Sequence, residues 1–181
     1  MYSIIVLINN SLLGGQVCTD SVDVQQNTDT PAISSNTLAI IPRLNFTCNG
    51  RITSIRARVA FNNRSDHPFF QVWRAASVGS RIYNKIGETQ LPLRQVFDVH
   101  GIKVANITLT GNNTIEVQSG DVVGYYHPLS VRYRVRTIQT DGYIQYQFSG
   151  SPESVDLNNS IDSDNDQQPL IQFTIGKSLL N

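Results

Sequence analysis

The sequence predicts an all-β fold, a two-sheet antiparallel β-sandwich of jelly-roll-like topology. From Thr37 onward, apolar residues recur at every second position, which is the pattern of strands with one buried face and one wet face. Turn sequences such as Asn49-Gly50 and Asp141-Gly142 interrupt this pattern at spacings typical of a sandwich. No segment shows the period of an amphipathic helix, and β-branched residues dominate the apolar positions.

The strands are predicted wherever this alternation persists between turns. The alternating segments are 52–61, 69–73, 104–109, 114–117, 122–126, 131–138, 143–148 and 171–175. About nine or ten strands in a chain of this length favour two stacked sheets over a closed barrel.

The chain divides into three parts. Residues 1–36 are predicted to be a leader or linker, and their apolar start reads as a degenerate signal peptide, a truncated gene model or a first strand. Residues 37–176 form the sandwich domain, and residues 177–181 form a C-terminal stub. Within the domain, residues 150–169 are predicted to be a long polar loop, either functional or mobile.

Composition excludes several classes of partner. The formal net charge is zero and charged residues make up 15% of the chain, so we expect no nucleic-acid partner. No stretch approaches the ~20 consecutive apolar residues of a membrane span. A surface rich in amides and hydroxyls but poor in lysine is typical of secreted β-proteins.

Cysteines and glycosylation sequons both favour an oxidising compartment. Cys18 and Cys48 form either one disulfide or two unrelated buried thiols; the bridge would close a loop of about 30 residues, worth roughly 3–4 kcal/mol. Chance alone would give roughly three Asn-x-Ser/Thr sequons, and six are present, the first at Asn9. The predicted glycosylation sites are Asn45, Asn63, Asn106, Asn112 and Asn158. We therefore expect an extracellular or cell-surface location.

The stretch "IEVQSGDVVGYYHP", residues 115–128, is rich in groups that could do chemistry. It reads as two strands and their corner, in which Asp121 accepts hydrogen bonds from the turn and Pro128 ends the ladder. The alternative is an acid–base pair of Glu116 and Asp121.

Two predicted strands each carry arginines on one face. These candidate ligand-binding residues are Arg56, Arg58, Arg132, Arg134 and Arg136. If the strands are neighbours, five guanidinium groups form a cationic plate, which suits sulfate or carboxylate groups. The hypothesis is recognition of an anionic glycan or an acidic protein partner. The alternative is a solvated sheet face, paired with Asp162, Asp164 and Asp166.

Those aspartates belong to "DSDND", which partly matches a calcium-binding loop. The stretch has Gln167 where an EF-hand needs glycine and Phe173 where it needs glutamate, so an EF-hand is excluded. A looser calcium site and a mobile acidic loop remain as alternatives.

The aromatic residues admit two interpretations, a sugar platform or the core. The residues concerned are Phe69, Trp73, Tyr83, Tyr125 and Tyr143. Trp73, beside Arg74, is the candidate for an exposed ring that contacts a ligand. His67, His100 and His127 are too scattered to predict a metal site, and we expect no metal and no cofactor.

Four stretches carry a resemblance to a known family: "IIPRLNFTCNGRITSIRARV", "FFQVWR", "NNTIEVQSGDVVGYYHP" and "QPLIQFTI". They resemble an uncharacterised extracellular β-sandwich domain found in large surface or receptor-like proteins of early-branching animals. The resemblance covers most of residues 31–176. It implies an N-terminal ectodomain module, often followed by adhesive or receptor repeats, and it implies no known catalytic residues.

The sequence therefore predicts a non-enzymatic recognition or adhesion module. It would bind a protein or anionic glycan at the cell surface, through end loops or the arginine-bearing face. The alternative is a carbohydrate-binding module, free or attached to an enzyme. An enzyme built on the sandwich is a third reading, although the chain has no nucleophile elbow, phosphate-binding loop or zinc-protease motif.

Overall fold

The described residues form two antiparallel β-sheets, which confirms the predicted all-β sandwich. The computed structural model describes residues 30–31, 36–61, 68–91, 96–99, 102–128, 131–137, 144–164, 167–169 and 171–176. The strands are β1 (Thr30–Pro31), β2 (Thr37–Asn45), β3 (Gly50–Phe61), β4 (Phe69–Ala75), β5 (Ile82–Gln90), β6 (Val96–Val99), β7 (Ile102–Thr108), β8 (Ile115–Val117), β9 (Val122–His127), β10 (Val131–Thr137), β11 (Gln145–Ser149), β12 (Ser154–Asp156), β13 (Asp162–Asp164), β14 (Gln167–Pro169) and β15 (Ile171–Gly176). Short 3-10 turns cover Gly111–Asn113 and Leu157–Asn159.

Strands that are distant in sequence pair in both sheets. The first sheet has the order β1-β10-β3-β7-β6, with β14 on β10 and with β8 and β15 on β3. The second sheet has the order β12-β5-β4-β9-β2-β11-β13, so β9 lies between β4 and β2. Such non-sequential pairing, with the chain crossing between the sheets, is typical of antiparallel β-sandwiches. β1 lies within the predicted leader or linker, and it pairs with β10.

A β-bulge corrects the predicted alternation in β3. Thr174 pairs with Ser54 and the next residue, Ile175, pairs with Ile52, so Thr53 is the extra residue. The inserted residue changes the face that the preceding side chains occupy. Ile52 is therefore buried in the same core as Ile55, whereas strict alternation placed it on the face of Arg56.

The central strands β2, β4 and β9 of the second sheet are buried on both faces. In β9, Val123 and Tyr125 belong to the core between the sheets. Val122 belongs to a separate cluster on the outer face, against which Tyr126 packs. The buried members of this outer cluster are Leu38, Ile40, Trp73, Val122, Phe148, Val155 and Leu157. The expectation of one wet face is therefore wrong for these central strands.

Residues 150–161, which we call the cover segment, protect this outer cluster. β12 pairs with β5 and buries Val155, while Leu157 is buried in the turn that follows. The backbone N–H of Leu157 donates to the carbonyl of Arg81 at 2.9 Å, and that of Ile161 donates to Gln147 at 2.8 Å. The prediction of a polar loop over residues 150–169 is wrong for the cover segment, because Val155 and Leu157 are buried in the outer cluster of the second sheet.

An ion-paired lysine fastens the cover segment to β5. The Nζ of Lys85 lies 2.8 Å from an Oε1 of Glu153 and 3.1 Å from an Oε2 of Glu88. The lysine side chain is 8% exposed. Burial lowers its pKa, but the hydrogen bonds to the two carboxylates outweigh this and raise the pKa above its ordinary value.

Candidate functional site

A groove of about 360 Å³ opens beside the cover segment, at one end of the second sheet. Four separate parts of the chain line it. The lining residues are Pro42, Arg43, Ser80, Arg81, Tyr83, Ile144, Tyr146 and Leu157. We call this site the tyrosine–arginine groove. Its volume lies within the range of small-molecule sites, which is roughly 300–1,000 Å³.

Strand pairing fixes the two tyrosines of the groove. Tyr83 of β5 pairs with Val155 of the cover segment, and Tyr146 of β11 pairs with Ile40 of β2. Both rings pack against the outer cluster of the second sheet and remain half-buried. Each tyrosine is therefore supported by the outer cluster and remains partly exposed at the groove.

Arg81 extends across the groove to Tyr146. Its guanidinium carbon lies 5.6 Å from the centroid of the Tyr146 ring, within the range of a cation–π contact. Burial raises the pKa of the Tyr83 phenol, the neighbouring Tyr146 raises it further, and the charge of Arg81 opposes both effects. Tyr146 and Arg81 therefore act in opposite directions on the ionisation of Tyr83.

The lining of the groove is positively charged. Arg43 and Arg81 are both exposed, and no carboxylate is found among the described lining residues. Ile144 adds an apolar side chain that is 42% exposed. A cationic groove with aromatic and apolar walls suits a ligand that combines an anionic group with an apolar face.

The predicted arginine-bearing strands are neighbours. β10 pairs with β3, with Arg132 opposite Ala60. Further along β10, Arg134 lies opposite Pro31 and Arg136 lies opposite Gln168. The side chains of these β10 residues and of Arg58 lie outside the described part of the structure, so the cationic plate stays a prediction.

Arg56 is the one of these five arginines whose side chain is described. It lies on the outer face of the first sheet, because Ile55 and Ala57 on either side of it are buried in the core. It is half-buried, and its Nη1 donates to Oε1 of Gln172 on β15 at 3.5 Å.

Trp73 does not present an exposed ring to a ligand. It is fully buried in the middle of β4, a strand of the second sheet that is covered on both faces. Its Nε1 donates to Oε1 of Gln71 at 3.1 Å. Its ring fills the space above Gly124, where an added Cβ would lie 2.6 Å from the indole. The residue therefore packs the outer cluster, which corrects the predicted ligand contact.

The other candidate aromatic residues differ in exposure. Tyr125 is fully buried, and its ring lies edge-on to that of the buried His127. Phe69 is half-buried against Tyr126. Tyr143 lies outside the described residues. Of the five predicted platform residues, the structure brings Tyr83 into the groove.

The corner at Asp121 is structural, as the sequence predicts. Its carboxylate accepts the backbone N–H of Gln118 at 2.7 Å and both arms of the Arg74 guanidinium, at 2.7 and 2.9 Å. The hydrogen bond to Asp121 raises the pKa of Arg74, although burial opposes it. Glu116 pairs with Arg51, so the two carboxylates of the alternative acid–base pair have separate arginine partners.

Several predicted sites lie wholly or partly outside the described residues. Cys48 is half-buried in the bend after β2, but Cys18 is not described, so their disulfide stays a prediction. Other predicted sites are likewise not described. They are the sequon residues Asn9 and Asn63, the histidines His67 and His100, Asp166, and the side chains of Asp162 and Asp164. Within the described residues, no three His, Cys, Asp or Glu side chains are grouped as metal ligands.

Four predicted glycosylation sites are described, and they differ in accessibility. Asn45 is exposed at the end of β2. Asn112 and Asn158 are exposed in the two 3-10 turns. Asn106 is half-buried within β7, where it pairs with Arg56.

Comparisons with known proteins give no relative for this chain. No family model matches it, and no match was found to a curated protein or to a solved structure. Across the described ranges, no helix has the length and hydropathy that a membrane crossing requires.

Proposed function

We propose that this protein is a non-enzymatic recognition module that binds an acidic glycan in the tyrosine–arginine groove. The observation that carries the proposal is the guanidinium of Arg81, held over the ring of Tyr146 in a groove that the described residues line with no carboxylate. We further propose an extracellular or cell-surface location, where such glycans are displayed.

Each part of the groove has a role in this proposal. The ring of Tyr83 contacts the apolar face of a sugar, while Arg81, held over Tyr146, binds its carboxylate or sulfate group. The cover segment and the paired strands hold both rings in place before the ligand arrives. Because little side-chain freedom is lost on binding, more of the contact energy contributes to affinity.

The lining favours binding over turnover. Glycoside hydrolysis in most enzymes uses two carboxyl groups that flank the scissile bond. The groove offers guanidinium groups, phenols, one hydroxyl group and apolar side chains among its described residues. These groups hold a ligand, and none of them has the usual role of the catalytic acid in that reaction.

The proposed location is one in which the predicted disulfide and N-glycans can form. An oxidising compartment permits the Cys18–Cys48 disulfide, and N-glycans are added on the same secretory route. The exposed positions of Asn45, Asn112 and Asn158 are compatible with modification. Non-reducing peptide mapping of the secreted protein tests the bridge. We expect one pair of peptides joined through Cys18 and Cys48.

A glycan array followed by calorimetry tests the proposed function. We expect retention of carboxylated or sulfated glycans, and we expect Arg81→Met to weaken binding roughly tenfold, which corresponds to ~1.4 kcal/mol. Tyr146→Ala removes the ring under the guanidinium and should weaken binding by a similar factor. Arg56→Met removes a positive charge on the other sheet and is the matched control, with no expected effect.

The second candidate site is the arginine-bearing face of the first sheet. The observation that favours it is the backbone pairing of β3 with β10, which places Arg132 opposite Ala60 and thus near Arg58. Under this alternative, Arg56→Met weakens acidic-glycan binding and Arg81→Met does not. If the array retains neutral sugars and neither variant changes their binding, the protein is instead a carbohydrate-binding module that does not require an anionic group. An array that retains no glycan contradicts the proposal.

A further inference from the structure

A second cleft, of about 520 Å³, lies between β5 of the second sheet and β8 of the first. Its lining is mostly polar, with hydroxyl, amide and carboxylate side chains. The polar lining residues include Glu88, Thr89, Thr108, Asn112, Asn113 and Thr114. We call this site the edge cleft.

The edge cleft forms where the two sheets approach and then diverge. A Cβ on Gly87 would lie 2.6 Å from the Cγ2 of Ile115, so glycine at this position lets β8 pack against β5. β12 pairs with β5 only over residues 82–84, and among the described strands none continues that pairing along residues 86–90. Main-chain groups of β5 therefore border the cleft beside the polar side chains.

Asn112 stands at the rim of this cleft. It is exposed and lies in the 3-10 turn Gly111–Asn113, and it begins the sequon that ends at Thr114. The Thr114 hydroxyl donates to the carbonyl of Gly111 at 2.8 Å, which keeps the sequon in a tight turn. Because Asn112 itself lines the cleft, a group attached to its amide begins inside the site.

We propose that Asn112 carries an N-linked glycan whose first sugars lie in the edge cleft. The inference rests on the proposed secretory location. Hydroxyl and acetamido groups of the sugars hydrogen-bond with Thr89, Thr108 and Asn113, and the Glu88 carboxylate accepts from a sugar hydroxyl. The cleft thus holds a sugar that belongs to the protein itself, whereas the tyrosine–arginine groove takes a free ligand.

The attachment needs a co-reactant, an oligosaccharide linked to a lipid pyrophosphate in the secretory pathway. The amide nitrogen of Asn112 forms a bond to C1 of the first sugar, and the bond from C1 to the pyrophosphate oxygen breaks. The bonding pair leaves with the pyrophosphate, and a base takes the one amide proton that is lost. No electrons are exchanged with an oxidant or reductant.

Asn158 provides a matched control. It too is exposed, it too lies in a 3-10 turn, Leu157–Asn159, and its sequon ends at Ser160. It is not among the residues that line the edge cleft or the tyrosine–arginine groove. A glycan at Asn158 is therefore expected to extend into solvent.

The test uses the full chain secreted from a eukaryotic host that makes high-mannose glycans. Glycopeptide mass spectrometry measures occupancy at each sequon, and an endoglycosidase that cuts between the first two sugars measures access. We expect Asn112 to be occupied and its glycan to be cleaved at least about tenfold more slowly than the Asn158 glycan in the native protein. After denaturation the two rates should be equal.

Thermal unfolding gives a second measurement on soluble variants. Asn112→Gln removes the Asn112 sequon but keeps the Thr114 hydrogen bond, and it should lower the Tm of the secreted protein by a few degrees, whereas Asn158→Gln should not. An unmodified Asn112, or equal native cleavage at the two sites, overturns the inference and leaves the groove proposal intact. A secreted chain with every sequon empty overturns both this inference and the proposed glycoprotein character.

Discussion

The ion pair of Arg74 and Asp121 allows a test of how the corner before β9 is held. The Asp121 side chain is 1% exposed, whereas that of Arg74 is 38% exposed. The two residues are therefore unequal partners. Arg74→Met removes the charge but keeps much of the stem, and it leaves a carboxylate buried with the N–H of Gln118 as its remaining described partner.

The magnitudes follow from this asymmetry. Removing one partner of a buried pair costs about 3–5 kcal/mol when the other charge cannot reach water, and this describes Asp121 in Arg74→Met. In Asp121→Ala, the exposed guanidinium can turn to water, so the loss is closer to the roughly 2–3 kcal/mol of its charge-assisted hydrogen bonds. The double variant leaves no buried charge and should also lose about 2–3 kcal/mol.

Urea unfolding measures these free energies. Trp73 is the chain's one tryptophan and is fully buried, so its fluorescence reports loss of the outer cluster. We expect the double variant to be more stable than Arg74→Met alone. Additive losses in the double variant, or a loss of under about 1 kcal/mol for Arg74→Met, would refute the reasoning.

Three further predictions test the second sheet. Val155→Ala should cost about 2 kcal/mol in urea unfolding, from two lost methyl groups and a cavity, whereas Val78→Ala at a fully exposed position should cost nothing; equal effects would contradict the cover segment's role. Gly124→Ala should cost about 1–3 kcal/mol by overpacking against Trp73. An unchanged urea midpoint would show that the indole moves aside freely. Lys85→Met should reduce the free energy of unfolding at neutral pH. The folded-state pKa of Lys85 is raised, so the lysine stabilises the fold below its ordinary pKa of 10.5, and this contribution is lost as the pH rises through the folded-state pKa. The difference in stability from wild type should therefore shrink in strong base.

Local sequence pattern was sufficient for regular strands and failed where distant segments interact. In β9, the alternation assigns Val123 to one face and Val122 to the other, and the structure agrees. In β3, the bulge is visible only in the pairing with Thr174, which is more than a hundred residues away. A periodic pattern cannot show that a partner strand has one residue fewer.

The cover segment and the groove were beyond sequence reasoning for a similar reason. Val155 and Leu157 are two apolar residues at alternate positions in an otherwise polar stretch, a signal too short to outweigh its surroundings. Arg81 and Tyr146 are 65 positions apart in the chain and meet only after the second sheet has formed. The alternation places Trp73 in a strand, as observed, but its burial depends on the cover segment and cannot be deduced from β4 alone.

The most direct test of the central claim is a titration of the isotopically labelled protein with a sulfated or carboxylated disaccharide, followed by amide chemical shifts. The claim predicts that the perturbed signals cluster at Arg81, Tyr83, Ile144 and Tyr146. Perturbations confined to β3 and β10, or no perturbation at millimolar disaccharide, would contradict it.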